Sequence, residues 1–166
     1  MYAWLRKKYP QGRKDGRYHG VQVPKFARGS EWVRMCMIRD PYEQAYSRWC
    51  FANSREKFQV PFIEFYEQII KLRREFMEKH PCYLYKADHL HTRFKIQNEF
   101  IRWADINKIL YYEELPSCLP HKRKTPNKHP DGFWAVAESG WCEVVEELYA
   151  EDFAHPAFER YRRTNV

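Results

Sequence analysis

Apolar residues gather along this chain in two short solid runs and in several longer stretches with helical spacing. Residues 33–38 (Val-Arg-Met-Cys-Met-Ile) are nearly all apolar, the pattern of a strand buried on both faces of a parallel sheet, and 108–112 (Lys-Ile-Leu-Tyr-Tyr) form a second strong strand. Directly after the first run come Arg39, Asp40 and Pro41, then helical spacing over 42–51. Asp40 is placed to cap that helix, and Pro41 stands at its first position, where a missing N–H costs nothing. Residues 61–78 predict a longer helix, with Phe62, Phe65, Tyr66, Ile69, Ile70, Leu72 and Phe76 on a wide apolar face, ended by His80 and Pro81. A third helix is expected over 94–103. A last amphipathic one is expected over 138–153, with Trp141, Val144, Val145 and Leu148 inward and Glu146 and Glu147 on its solvated face. Before the first strand, 2–9 read as the end of a helix whose cations Arg6, Lys7 and Lys8 suit its dipole, stopped by Pro10 and Gly12. A polar connection over 11–20 and a short extended stretch over 18–23 follow, and 116–132 is a loop dense in Pro, Lys and His. Strands separated by helices predict an α/β fold with a parallel sheet flanked by helices.

At 166 residues the chain is one domain's worth, and 17% aromatic residues supply large side chains for a core. No stretch approaches the roughly 18–20 apolar residues of a membrane span, and the N-terminus lacks the apolar run of a secretory signal, so a cytoplasmic location is expected. The net charge of +7 favours an anionic partner: nucleic acid, an acidic polysaccharide or a nucleotide cofactor. Cys36, Cys50, Cys82, Cys118 and Cys142 are odd in number and contain no C-x-x-C pair, which excludes a complete disulfide framework and makes free, mostly buried thiols the expectation. His89 and His91 share one face if extended, but no Cys or carboxylate nearby completes a zinc set, so no metal site is expected.

Most functional information lies where the first strand meets its helix. Ligands bind open α/β sheets at such junctions, where helix N-terminal amides suit phosphate. Arg39 offers a planar guanidinium for bidentate contact with phosphate oxygens. Ser47, eight residues later, lies about two turns into the helix, roughly 10 Å along its axis. An anion held by both must therefore lie along the helix flank, with the arginine reaching across. The plainer alternative is a salt bridge from Arg39 to Asp40 or Glu43, with Ser47 solvated.

The segment Val33-Arg-Met-Cys-Met-Ile-Arg39-Asp40-Pro41-Tyr-Glu-Gln44-Ala-Tyr-Ser47-Arg-Trp49 resembles the 3′-phosphate-binding segment of sulfotransferases, in particular the carbohydrate (Golgi-type) enzymes and their bacterial and viral relatives. Arg39 and Ser47 match that family's eight-residue spacing, and Trp49 takes the place of its usual aromatic. Gln44 departs from the pattern, standing where the family commonly has Arg. Tyr18-His19-Gly20-Val21 is similar to the Tyr-His-Gly-His segment of uronosyl 2-O-sulfotransferases. Gln97 to Leu115, with Asp105-Ile-Asn-Lys-Ile-Leu-Tyr-Tyr-Glu-Glu-Leu, is similar to a strand in which these enzymes carry an Asp, an apolar run and Glu-x-Leu. Leu148-Tyr149-Ala-Glu-Asp152-Phe153 looks like the family's closing Tyr-x-x-Asp-Phe helix.

The resemblance implies 3′-phosphoadenosine 5′-phosphosulfate as sulfuryl donor and a hydroxyl, usually of a carbohydrate, as acceptor. It gives His19 the role of base for that hydroxyl, although the family's second histidine is Val21 here. It gives Arg39 and Ser47 the donor's 3′-phosphate. The basic loop His121-Lys122-Arg123-Lys124-Thr125, with Lys128 and His129, falls where such enzymes close over the nucleotide or meet an anionic glycan; a solvated loop is the alternative. The family's phosphosulfate loop, Pro-Lys-x-Gly-x-Thr-Ser after a first strand, has no counterpart before His19. Pro24-Lys25-Phe-Ala-Arg-Gly29-Ser30 has a similar composition but lies after it. The expectation is a single sulfotransferase-like domain over 1–166, a partial P-loop-like sheet lacking its first strand and loop. It is read as N-terminally truncated and weak or inactive in transfer, with the Golgi lumen as its place if it is a fragment of a eukaryotic enzyme. Two other readings stay open: a basic nucleic-acid-binding domain, against which stands the absence of a helix-turn-helix, zinc-finger or ribonucleoprotein motif, and a non-catalytic nucleotide or glycan binder.

Overall fold

The computed structural model describes residues 33–54, 60–79, 96–101, 103–115 and 125–163. Strand β1 (Met35–Ile38) leads through two residues into helix α1 (Pro41–Asn53), followed by helix α2 (Phe62–Lys79), strand β2 (Lys108–Tyr111), helix α3 (Trp141–Leu148) and the short helix α4 (Ala150–Ala154). The two strands pair in parallel with Met35 opposite Lys108 and Ile38 opposite Tyr111. Parallel pairing demands a long crossover, and α1 and α2 lie within it. The result is a mixed α/β arrangement around a two-stranded parallel sheet among the described residues.

The larger apolar cluster lies between α1, α2 and α3. Every fourth or third residue of α2 that faces inward is buried (Phe62, Tyr66, Ile69, Ile70), and these meet Tyr42, Ala45 and Tyr46 of α1 and Trp141, Val145 and Leu148 of α3. Phe62 and Trp141 stack face to face at 4.0 Å between ring centres with a 10° tilt. The Tyr66 hydroxyl, fully buried, donates to the Ala45 carbonyl at 2.8 Å, so the polar end of a core residue is satisfied. The apolar face of α2 is narrower than the spacing suggests, because Leu72 stands exposed. A smaller cluster of Ile38, Ala157 and Phe158, flanked by Trp103, Ile109 and Tyr111, packs at the sheet.

Two expected helices are corrected. In place of a helix over 94–103, the described residues form two single 3₁₀ turns, Asn98–Phe100 and Trp103–Asp105, separated by Ile101 in extended conformation (φ −117°, ψ 117°). The local cause is a long-range cap: the Asp152 carboxylate accepts from the amides of both Gln97 and Asn98, which favours a tight turn over helix continuation. The last helix bends at Tyr149 (φ −100°, ψ 20°), dividing α3 from α4. Glu146 is not left to solvent: it accepts from the Tyr42 hydroxyl at 2.6 Å and from Arg163 Nε at 2.6 Å.

The expected helix end over 2–9, the connection over 11–20, the strand over 18–23, the Pro24–Ser30 stretch, His89, His91, Cys82 and Cys118 lie outside the described residues. Among those described, Cys36, Cys50 and Cys142 are free thiols. No helix there is long and apolar enough to cross a membrane.

Candidate functional site

The chain leaves β1 at Ile38, which is fully buried, and turns into α1 through Arg39 and Asp40. Asp40 caps α1 as its sequence position predicts, accepting from the Tyr42 amide at 2.8 Å. Its own amide donates to Glu113 Oε1 at 3.0 Å, and Glu113 also accepts from the Tyr161 hydroxyl at 2.6 Å. Burial, more than its neighbours Glu43 and Glu113, raises the Asp40 carboxyl to about 6. With Pro41 lacking an N–H, the Tyr42 amide taken by the Asp40 side chain and the Gln44 amide by the Asp40 carbonyl, the first turn of α1 is largely capped from within and does not present the amide cradle expected there.

Arg39 instead folds back along the flank of α1. Its Nη2 donates to Ser47 Oγ at 2.8 Å, spanning the two turns between them. Ser47 is 8% exposed, so the solvated serine of the plainer alternative is not what forms. Part of that alternative is present: Arg39 Nη2 lies 3.9 Å from Glu43 Oε2. The guanidinium also lies over the Tyr112 ring, 4.9 Å from its centre. Its Nε is buried and has no hydrogen-bond partner among the described residues; the same holds for Gln44 Oε1.

Glu43 is held chiefly from elsewhere. Lys128 Nζ pairs with it, and the Phe133 amide donates to its Oε1 at 2.6 Å. That approach requires glycine at position 132, where φ is +83° and a Cβ would come within 2.1 Å of Glu43 Oε1. The stretch before Phe133 is fixed further by the His129 amide, which donates to the Tyr46 hydroxyl at 3.2 Å. Arg39 and Lys128 stand here against Glu43, with the Asp40 and Glu113 carboxyls close by, so the junction carries charges of both signs. Trp49, the family's aromatic position, packs against the larger apolar cluster and donates from Nε1 to the Val60 carbonyl at 2.7 Å.

Behind this pair, the Gln97 carboxamide brackets the Arg39 backbone: Oε1 accepts from the Arg39 amide at 2.8 Å and Nε2 donates to its carbonyl at 2.7 Å. Asp152, fully buried, accepts from the Gln97 amide at 3.0 Å and the Asn98 amide at 2.6 Å. Arg48, next to Ser47, donates to the Tyr149 hydroxyl at 3.1 Å. The Tyr149–Asp152 segment thus meets Gln97 behind Arg39 and Arg48, the residue after Ser47. Sequence reasoning met Gln97 only as the first residue of the 97–115 resemblance, inside an expected helix, and Lys128 only as part of the basic loop; it missed Tyr112 as a neighbour of the pair. Asp152 was visible only as the acid of the Tyr-x-x-Asp-Phe pattern. Glu114, beside Glu113, pairs with Arg160.

Burial raises the Asp152 carboxyl to about 6, against two amides that favour its ionised form. A folded value above the unfolded one means the native state holds more protons in between, so this residue's contribution to stability falls as pH rises from about 4 to about 6. Asp152→Asn cannot ionise. The stability of the natural protein relative to Asp152→Asn is therefore expected to be higher at about pH 4.5 than at about pH 7, read from urea midpoints at both. An unchanged difference between the two would exclude the shift.

His19, Lys122, Arg123 and Lys124 lie outside the described residues, so the structure brings together Arg39 and Ser47 alone of the expected site residues. No group of three His, Cys, Asp or Glu side chains among the described residues could hold a metal. Among the described residues the junction offers an anion a guanidinium N–H that is buried and lacks an acceptor, with a hydroxyl beside it. Comparison with protein-family models, curated proteins and solved structures gave no match to this chain.

Proposed function

We propose that this chain is a sulfotransferase-like protein of partial P-loop-like fold. In this reading Arg39 and Ser47 grip the 3′-phosphate of 3′-phosphoadenosine 5′-phosphosulfate, in the service of transfer to a carbohydrate hydroxyl. The observation that carries it is the 2.8 Å contact from Arg39 to Ser47 at the end of a parallel strand, beside a buried Arg39 Nε that lacks an acceptor among the described residues. A structural ion pair uses up its donors. This guanidinium keeps one directed N–H in reserve, and the hydroxyl next to it can turn to donate to an anion once one is present.

The donor, when bound, supplies the activated sulfuryl group. The chain's own tasks are to hold and orient the nucleotide and to take a proton from the acceptor. Arg39 and Ser47 hold the ribose-linked phosphate. His19 is the base that accepts the hydroxyl proton, a task an imidazole is suited to in its neutral form. Lys122, Arg123 and Lys124 meet the anionic nucleotide or an acidic glycan.

The test is calorimetry with adenosine 3′,5′-bisphosphate, adenosine 5′-phosphate and a random oligonucleotide. The bisphosphate is expected to bind at least about tenfold more tightly than the monophosphate, which lacks the group the pair recognises. Equal affinity for the two nucleotides overturns the proposal. Oligonucleotide binding that is tighter and steeply salt-dependent favours the nucleic-acid reading instead.

A further inference from the structure

The geometry points to Gln97, fixed by Asp152, as the residue that aims the Arg39 guanidinium at its anion. This assignment rests on the reading of Arg39 as the anion's ligand. Arg39 follows the last residue of β1, so no strand ladder constrains it. The direction in which its side chain departs depends on its backbone, and that backbone is clasped at both ends by one carboxamide: amide to Oε1 at 2.8 Å, carbonyl from Nε2 at 2.7 Å. Among the twenty side chains only Asn and Gln offer a donor and an acceptor on one planar amide, and Gln has the longer reach. Gln97 is itself 8% exposed and located by a carboxylate that is fully buried.

The chain of contacts therefore runs from Asp152 through the Gln97 amide, and through the Gln97 side chain, to the Arg39 backbone. It joins three segments far apart in sequence and ends one side chain away from the anion. A cap whose sole purpose was the 3₁₀ turn at Asn98–Phe100 would need the Asp152 contacts but not the second pair, between Gln97 and Arg39. Gln97 does not touch the anion in this arrangement. It is a positioning residue, and a loss of its carboxamide releases the guanidinium without removing it.

Two measurements on Gln97→Met, which keeps length and burial but not the two hydrogen bonds, test this. Calorimetry with adenosine 3′,5′-bisphosphate is expected to show binding weakened by roughly tenfold or more. Nuclear magnetic resonance is expected to show the Arg39 Nε–H signal, identified by its disappearance in Arg39→Lys, displaced or broadened without ligand, while the Arg48 Nε–H signal stays in place. An Arg39 signal that does not move, or an Arg48 signal that moves as far, overturns the assignment, because the effect is then absent or merely a general loosening. If Gln97→Met does not fold, Gln97→Glu serves the same purpose: it keeps the shape and one acceptor but cannot donate to the Arg39 carbonyl when ionised. A natural protein that fails to bind the bisphosphate, with the Arg39 signal still displaced by Gln97→Met, sinks the nucleotide reading and leaves the positioning role standing. Binding that survives Gln97→Met unchanged does the reverse.

Discussion

Arg39→Ala is expected to weaken binding of adenosine 3′,5′-bisphosphate by at least about a hundredfold, close to 3 kcal/mol, in the calorimetric assay. The size follows from removing a charge-assisted, partly buried donor set rather than a neutral hydrogen bond, which costs only about 1 kcal/mol. Stability is expected to change little. The residue's nearest acid, Glu43, keeps Lys128 and the Phe133 amide after the substitution, so no carboxylate is stranded. Ser47 loses its donor but sits at the helix flank, where a hydroxyl can bond to the preceding turn. A variant that melts like the natural protein but has lost the bisphosphate separates recognition from folding. One that binds as before removes Arg39 from the site and the proposed function with it.

The largest expected loss of stability is at Trp141. Trp141→Ala removes a ring that stacks on Phe62 at 4.0 Å and lies 5.6 Å from Trp49, 6.0 Å from Phe133 and 6.3 Å from Tyr46, centre to centre. These partners come from α1, α2 and the turn at Phe133–Ala135, so the cavity opens where all of them converge on α3. Truncating a buried Trp costs about 3–5 kcal/mol, a large share of the roughly 5–15 kcal/mol that holds a domain together. Urea denaturation is expected to show a midpoint reduced by a third or more; a midpoint within a tenth of the natural one would mean the ring is not central to the core. Since the Arg39–Ser47 pair sits on α1, which this cluster anchors, bisphosphate binding is expected to weaken only in step with the unfolded fraction.

The frame of the site was readable along the chain because its determinants are local. A solid apolar run ends in Arg-Asp-Pro; Asp40 and Pro41 can do little but start a helix, and the observed α1 begins at Pro41 as that pattern requires. Eight residues in a helix is two turns and a little more, enough to forecast that Arg39 and Ser47 could meet only along the flank. The parts that were illegible depend on distant partners. Residues 94–103 have the composition of a helix, but the amides of Gln97 and Asn98 are taken by an aspartate more than fifty residues later, which local spacing cannot reveal. Glu146 sits on the polar face of α3 by its spacing, yet Tyr42 and Arg163 arrive there and make it part of the packing. Leu72 shows the converse: its spacing on α2 suits the core, but no element among the described residues covers it, and it stays exposed.

The closed first turn of α1 has a consequence for how such a site changes over time. Pro41 has no N–H, the Tyr42 amide is taken by the Asp40 carboxylate, and Gln44 donates to the Asp40 carbonyl at 2.9 Å. A cradle made of main-chain amides persists through almost any exchange of residues, because every amino acid but proline carries the same donor. In the proposed reading the anion's grip belongs to two genetically replaceable side chains, so one nucleotide change would silence or retune it while the scaffold endures. Descendants of this architecture can therefore share a backbone and differ in what, if anything, they hold.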